Sequence, residues 1–495
     1  MQPEEESPKI QNVVCILLDS LVRDRLGAYG DVAVETPNLD RLAARSIRMG
    51  RHYAGSLPCM PARHDIATGT HDFLWKPWGS LECWERPLPT ALRGAGVVTQ
   101  LVTDHYHLFS PGGENYHVDY LGWDFARGHE SDCWATEPVN TAFGTPTVHA
   151  RDFIYPRSRQ RFDGEHDFPG PKTMAAAVDW VERNAGRHER FFLMVDEFDP
   201  HEPFDTPEPY SSMYDPAWEG PNLIWPPYSV GEDLPTDHVR QLRAQYAGKV
   251  TMIDAWLGKL LDSFDRHDIW DDTLVMLLTD HGLYLGEHGI WGKPGTELRE
   301  PMVHIPLLVS MPGQAPRDCD ALTTSVDIHA TVLDVFGLEP DPRVVGRSIL
   351  PVLRGEATAV REHVLAGYFG HAPFVTDGRW SYQPALDGSA APLFAYSNRW
   401  SVPQWMKLQP LDDRASLGRF LPGVSSPVIR QPLDLWGPPP EVPEEMLFDV
   451  VDDPQQVDNR TPSSARVAEY RELLVHALDE ADAPPEVYAR AGLRR

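Results

Sequence analysis

The sequence predicts an α/β fold, a largely parallel sheet covered by helices on both faces. Two observations carry this. Apolar runs at 12–19, 97–104, 191–196 and 273–280 each close on an aspartate, the pattern of strands buried on both sides. Between them lie stretches of helical periodicity, so strands and helices alternate along the chain.

The elements follow in order. Asn12 to Asp19 (NVVCILLD) is the first strand. Thr36-Pro37 opens a helix, an N-cap followed by a first-turn proline, with Leu39, Leu42, Ala43 and Ile47 expected on one face. Ser56 to Gly69 (SLPCMPARHDIATG) sets Cys59, Pro61 and Arg63 at the head of another helix. Val97 to Asp104 is the second strand, Thr173 to Asn184 a helix, and Phe191 to Asp196 the third strand, with His201 just beyond it. Leu242, Tyr246, Val250, Ile253, Leu257 and Leu260 line one face of a long helix. Thr273 to Asp280 and Ile305 to Val309 complete the predicted strands, and Ser325 is expected to cap a helix ending at Gly337. Asp199 to Pro235 reads as an irregular loop near the crevice mouth. Residues 1–364 are thus expected to form the main domain. Residues 365–495 would form a smaller C-terminal subdomain with a Pro- and aromatic-rich insertion at Gln383 to Glu445.

Composition excludes several classes. A net charge of −29 over 495 residues opposes nucleic acid and anionic membrane as partners, so a site for an anionic substrate must carry its own concentrated positive charge. The acidic, polar N-terminus lacks an apolar signal core, from which a cytoplasmic location is expected. Five unclustered cysteines suggest neither a disulfide framework nor a zinc site, and Cys15, Cys83, Cys133 and Cys319 read as packing residues.

In α/β sheets the carboxyl ends of the strands form the ligand crevice. Asp19, Asp104, His105, His107, His201, Asp280 and His281 would therefore meet there. Asp19 with Asp280-His281 has the character of a divalent-metal site, oxygen donors suiting a hard cation and imidazole admitting manganese. A lone cysteine is most often a small buried filler. Cys59, however, sits at a helix N-terminus, where an oxyanion is at home, and Arg63 can reach back over it from one turn away.

Cys59, Pro61 and Arg63, as C-x-P-x-R followed by Thr-Gly, resemble the signature of the type I sulfatases of the alkaline phosphatase superfamily. DSLVRDRLGAYG at 19–30 and TDHGLYLGEHGIWGK at 279–293 are similar to that family's two metal segments, and MLFDVVDDPQQVDNR at 446–460 to its C-terminal segment. Ala62 and Pro58 stand where the family usually has serine and leucine, and Ser20 where many members have a second aspartate. The resemblance implies an alkaline-phosphatase-like α/β/α sandwich with a large mixed sheet, and a small subdomain carrying a short antiparallel sheet and a helix. It further implies that a formylglycine-generating enzyme oxidises Cys59 to formylglycine, whose hydrated aldehyde is the nucleophile. The implied metal ligands are Asp19, Ser20, residue 59, Asp280 and His281, holding Ca2+ as first choice or Mn2+. Arg63 would steady the nucleophile and Lys293 clamp the sulfuryl group. His201 would protonate the leaving group, and His107 would take the proton that frees sulfate. His105 replaces a family lysine, which would make that substrate contact pH-dependent.

The implied activity is hydrolysis of a small sulfate ester. A phosphonate monoester or phosphodiester hydrolase with the same machinery, and a non-catalytic binding protein with this fold, stand as alternatives. The organic part of the substrate and homo-oligomerisation are left open.

Overall fold

The computed structural model describes residues 10–30, 33–138, 151–231, 233–386, 392–399, 401–404, 407–433, 442, 444–461 and 465–495. Strands β1 (Asn12–Leu18), β2 (Ile47–Tyr53), β3 (Ser56–Leu57), β4 (Val98–Thr103), β5 (Gly122–Phe125), β6 (Phe191–Glu197) and β7 (Thr273–Leu278) are followed by the hairpin β8 (Tyr284–Leu285) and β9 (Trp291–Gly292), then β10 (Leu307–Ser310) and β11 (Arg317–Thr324). Eight of these form one sheet in the order β11-β2-β10-β7-β1-β6-β4-β5. β1 lies at its centre, parallel to β6 and β7, with Val13 beside Phe192 and Leu274.

Alternation along β1 builds two cores. Val14, Ile16 and Leu18 face one side and pack with the long helix Thr236–Arg266, while Val13, Cys15 and Leu17 face the other. Each such side chain, fully withdrawn from water, contributes about 1.5–3 kcal/mol. The helix Pro169–Asn184 packs on the first side beside the long one.

The predicted strands are all present, with particular differences. Ile47 does not extend the helix that begins at Pro37. That helix stops at Ala43, and the alternation of buried Ile47 and Met49 starts β2 instead. The strand expected at Ile305 to Val309 runs antiparallel to β7, which makes the sheet mixed. Ser325 makes no side-chain cap. Asp327 accepts the Thr324 N–H in its place, at 2.9 Å. Cys15 is buried as expected and Cys319 partly so, but Cys83 and Cys133 are exposed and do not pack a core.

The second sheet contains β12 (Val364–Tyr368), β13 (Phe374–Thr376), β14 (Trp380–Gln383) and the strand Met446–Asp449, which pairs with β14, and these neighbours run antiparallel. The helix Arg466–Glu480 covers it. Strand β3, immediately before Cys59, joins this sheet by parallel pairing with β12, which ties the Cys59 segment to the C-terminal region. Within Gln383 to Glu445 short antiparallel pairs form, although part of this stretch lies outside the described residues. So does the N-terminus, residues 1–9, on which the cytoplasmic expectation rests. No helix among the described residues is long and apolar enough to cross a membrane.

Candidate active site

The site forms where β1, β6, β7 and β4 end and the helix Cys59–Thr68 begins. The local fold holds that helix firmly. Asp65 accepts the Ser56 N–H at 2.7 Å and the Asp72 N–H at 3.1 Å, pinning both ends of the segment to the helix. Gly55 is required at the approach, since a Cβ there would lie 2.3 Å from Asp65 Oδ2. Gly69, at φ 71°, ends the helix in the left-handed conformation.

Cys59 does not face the hydrophobic interior. Although only 2% exposed, its Sγ lies 3.3 Å from His281 Nε2, 3.8 Å from Lys293 Nζ and 4.0 Å from Asp19 Oδ1. Ligand-type atoms of Asp19, Cys59, Asp280 and His281 all fall within 4.8 Å of one another. This mixed oxygen, nitrogen and sulfur set fits a divalent cation. Its protonation also fits. His281 Nδ1–H donates to the Gly282 carbonyl at 2.8 Å, which leaves the Nε2 lone pair facing residue 59. Burial pushes this imidazole down to about 4, so it is neutral at ordinary pH. Burial, and then the charge of Asp280, push Asp19 well above the carboxylate range, a tension that a cation relieves.

Ser20, at φ 62°, bridges the two halves of the cluster. Its N–H donates to Asp280 Oδ1 at 3.0 Å, and its hydroxyl lies 2.7 Å from Asp19 Oδ1 and 3.2 Å from Lys293 Nζ. Arg63 reaches back over its own helix as expected, with Nη1 3.2 Å from the Cys59 carbonyl. Lys293, on the turn after β9, is 8% exposed. Burial works against its charge, but neighbouring groups, Glu202 among them, hold its protonation well above the usual lysine value.

The histidines surround one aromatic ring. Phe198 packs against His105 and His201, each at 4.2 Å between ring centroids, against His129 at 4.6 Å and His107 at 5.9 Å. His201 Nδ1–H donates to the Glu202 carbonyl at 2.7 Å, which leaves Nε2 as its titrating nitrogen. His107 Nε2 lies 3.5 Å from Glu130. His105 Nε2 lies 3.6 Å from Asp19, and burial followed by Arg63 keeps its protonation well below the ordinary imidazole value. Burial thus disfavours the charged form of this ring, where a lysine would carry its charge. Asp104 stays outside the metal cluster and accepts the Phe198 N–H at 2.7 Å.

Sequence reasoning did not assign Asp196, Glu202, Tyr228, Phe198 or Lys249 to the site. Asp196 was legible as a strand-terminal carboxylate. Glu202 was signalled only by its place next to His201. It is buried, holds the Tyr228 hydroxyl, and lies 3.4 Å from His201 Nδ1 and 4.0 Å from Lys293 Nζ.

A cluster able to hold a cation, a buried cysteine and an arginine-lysine pair lie together at one rim of an α/β/α sandwich, an arrangement suited to hydrolysis of anionic esters. Comparison with known proteins narrows the class. Residues 11–338 match the Sulfatase family model, and the chain belongs to that family, within the alkaline phosphatase superfamily, as a hydrolase acting on sulfuric ester bonds. It is similar to the multifunctional alkaline phosphatase superfamily protein PehA of Trinickia caryophylli, 29% identical across 69% of this chain and 77% of that one. It also resembles human iduronate 2-sulfatase, 27% identical across 81% and 80% of the two chains. In structure it superposes on the phosphonate monoester hydrolase of Agrobacterium radiobacter with a TM-score of 0.66, at 18% identity, covering 95% of this chain and 96% of that one.

Proposed function

We propose that the chain hydrolyses a small sulfate ester through a formylglycine made from Cys59 and one divalent cation, Ca2+ in first place and Mn2+ in second. The observation that carries this reading is the convergence of Asp19, Cys59, Asp280 and His281 within 4.8 Å, flanked by Arg63 and Lys293. Asp19, Asp280 and His281, with Ser20 and residue 59 beside them, would hold the cation, which supplies positive charge against the negative charge that develops as the ester breaks. The modification has a physical reason. As a thiol, Cys59 is held well above its ordinary pKa by burial and then by Asp19, so it is a poor nucleophile, and a thiol ester of sulfate has no easy route to release. A hydrated aldehyde can attack with one hydroxyl and expel sulfate with the other. A dedicated maturation enzyme is then a required partner.

The chain's own groups do the rest. Arg63, fixed by three carboxylates, orients residue 59. Lys293 holds a non-bridging oxygen of the ester. His201 delivers a proton from Nε2 to the departing alkoxide or phenoxide, and His107 receives the proton whose loss releases sulfate. Neutral His105 offers the ester a hydrogen bond without adding charge.

A second reading, phosphonate monoester or phosphodiester hydrolysis, draws support from the PehA relative, whose name calls it multifunctional. Two measurements test the proposal together. The mass of the tryptic peptide carrying residue 59 reports whether CH2SH has become CHO. Relative kcat/KM on an aryl sulfate, a phenyl phosphonate and an aryl phosphodiester should favour the sulfate. Preference for either phosphorus ester moves the assignment to the second reading, and a residue 59 that remains a thiol after co-expression with a converting enzyme overturns both.

A further inference from the structure

One buried cation plays no part in the chemistry above. Lys249, 3% exposed, sits within the long helix Thr236–Arg266. Its Nζ lies 2.6 Å from Asp199 Oδ1, 2.9 Å from the His201 carbonyl and 2.5 Å from the Pro203 carbonyl. An ammonium has three protons to donate, and these contacts use all of them. The segment it grips, Asp199-Pro200-His201-Glu202-Pro203, is irregular, and two of its residues lack an N–H, so a sheet or helix ladder cannot hold it. Burying a lysine is costly unless it is fully paired. Here the pairing falls on the main chain that carries His201.

One turn earlier on the same helix face, Tyr246 accepts the Val22 N–H at 2.9 Å and donates to the Ser20 carbonyl at 2.9 Å. A single rigid element thus grips the metal half of the site at Ser20 and the proton-donor half at His201. His129 supports the arrangement, its Nε2 lying 2.7 Å from the same Asp199 oxygen.

We propose that Lys249 is a positioning residue for His201, and that the helix sets the spacing between the proton donor and the cation cradle. This rests on reading His201 as the general acid. Without Lys249 the His201 carbonyl and the Pro203 carbonyl lose their donor, the segment relaxes, and Nε2 loses its aim.

The test compares wild type, Lys249→Met, Lys249→Arg and His201→Ala on substituted phenyl sulfates of rising leaving-group pKa. Because Lys249→Met leaves Asp199 as a buried unpaired charge, Lys249→Met/Asp199→Asn is made alongside it to keep the fold. Either Met variant should lose little on the most activated phenol and about 10-fold or more on the poorest leaving group, as general-acid loss does. Lys249→Arg should restore part of that loss. Adding Lys249→Met to His201→Ala should cost no more than His201→Ala alone. An equal loss on every ester, additive with His201→Ala, would show a purely structural lysine and overturn the proposal. A readout free of turnover separates this from the assignment of the reaction. The His201 Cε1–H resonance, identified by its absence in His201→Ala, should shift or broaden in the Met variants, and an unmoved resonance overturns the proposal even if no sulfate is hydrolysed.

Discussion

Arg63 and Asp196 form a two-pronged pair, with Nε 2.9 Å from Oδ2 and Nη2 2.6 Å from Oδ1. The remaining corner of the guanidinium, Nη1, lies 2.9 Å from Asp19 and 2.8 Å from Asp280. Asp196 thus turns Arg63 so that its free edge reaches both carboxylates of the cation cradle.

Arg63→Ala should therefore damage stability as well as turnover. It leaves Asp19, Asp196 and Asp280 buried around a cavity, a situation that costs about 3–5 kcal/mol. Arg63→Lys keeps a charge but cannot serve three carboxylates in a plane, so it should recover part of the stability and little of the activity. Urea unfolding checks the first effect and steady-state rates the second. An Arg63→Ala protein as stable as wild type would contradict the electrostatic account.

Cys59→Ala should separate chemistry from folding in the opposite sense. The Sγ contacts three polar groups and fills little of the core, so its loss should cost about 1 kcal/mol or less. Turnover should fall to background, because no other group stands in its place. Residual activity above that of a no-enzyme control would rule out a covalent route through residue 59.

Why some of this was legible in sequence and some was not has a physical basis. Asp19, Asp104 and Asp280 end apolar runs, and a parallel sheet must bring such ends to one rim, so their meeting is expected from pattern alone. Asp196 ends a run in the same way, but nothing in the pattern says that it holds Arg63. The pairing of β3 with β12 was invisible, since two short segments far apart in the chain carry no periodic signal. Ile47 misled because an apolar residue at helical spacing from Leu39 and Ala43 also begins a period-two alternation with Met49. Lys249 was hidden for another reason. It occupies a helix whose apolar face is already explained by Tyr246, Val250 and Ile253, and only three-dimensional contact reveals what its ammonium holds. Phe198 lies just beyond the strand expected at Phe191 to Asp196, where no periodic signal reaches, yet it is the ring around which the histidines are arranged.

Asp280→Asn offers a clean test of the cation cradle. Asp280 Oδ1 accepts the Ser20 N–H at 3.0 Å and the His281 N–H at 2.8 Å, and an asparagine oxygen can accept both. The Ser20 and His281 contacts should survive, while the site loses a negative charge and the ion pair between Arg63 Nη1 and Asp280 Oδ2. Elemental analysis after dialysis should show the divalent metal per chain falling well below that of wild type. Unchanged metal content would remove Asp280 from the ligand set.

A buried charged network lies next to Arg63 on the Cys59–Thr68 helix. His64, next to Arg63 on the same helix, lies 2.7 Å from Glu85 and 3.5 Å from Asp72, and Lys76 Nζ lies 3.5 Å from Asp72. Asp72 is 1% exposed, and neither of its carboxylate oxygens accepts a hydrogen bond. Burial, only partly offset by His64 and Lys76, pushes it up to about 7. Unfolded, the same carboxyl ionises near its ordinary value, so between about pH 4 and pH 7 the folded state binds more protons and its stability falls as pH rises. His64 acts in the same direction. Burial opposes its protonation, but Asp72 and Glu85 raise it, so its contribution is complete below the ordinary imidazole value and is lost as pH rises through the raised one. Asp72→Asn removes the first component and weakens the second, since Asp72 is one of the two carboxyls that raise His64. Wild type should therefore lose more Tm than Asp72→Asn when the pH is raised from about 5 to about 8, by an amount corresponding to a few kcal/mol. Differential scanning calorimetry across that range decides it. Parallel pH curves for the two proteins would mean that Asp72 is ionised in the fold throughout, with its charge carried by Lys76 and His64.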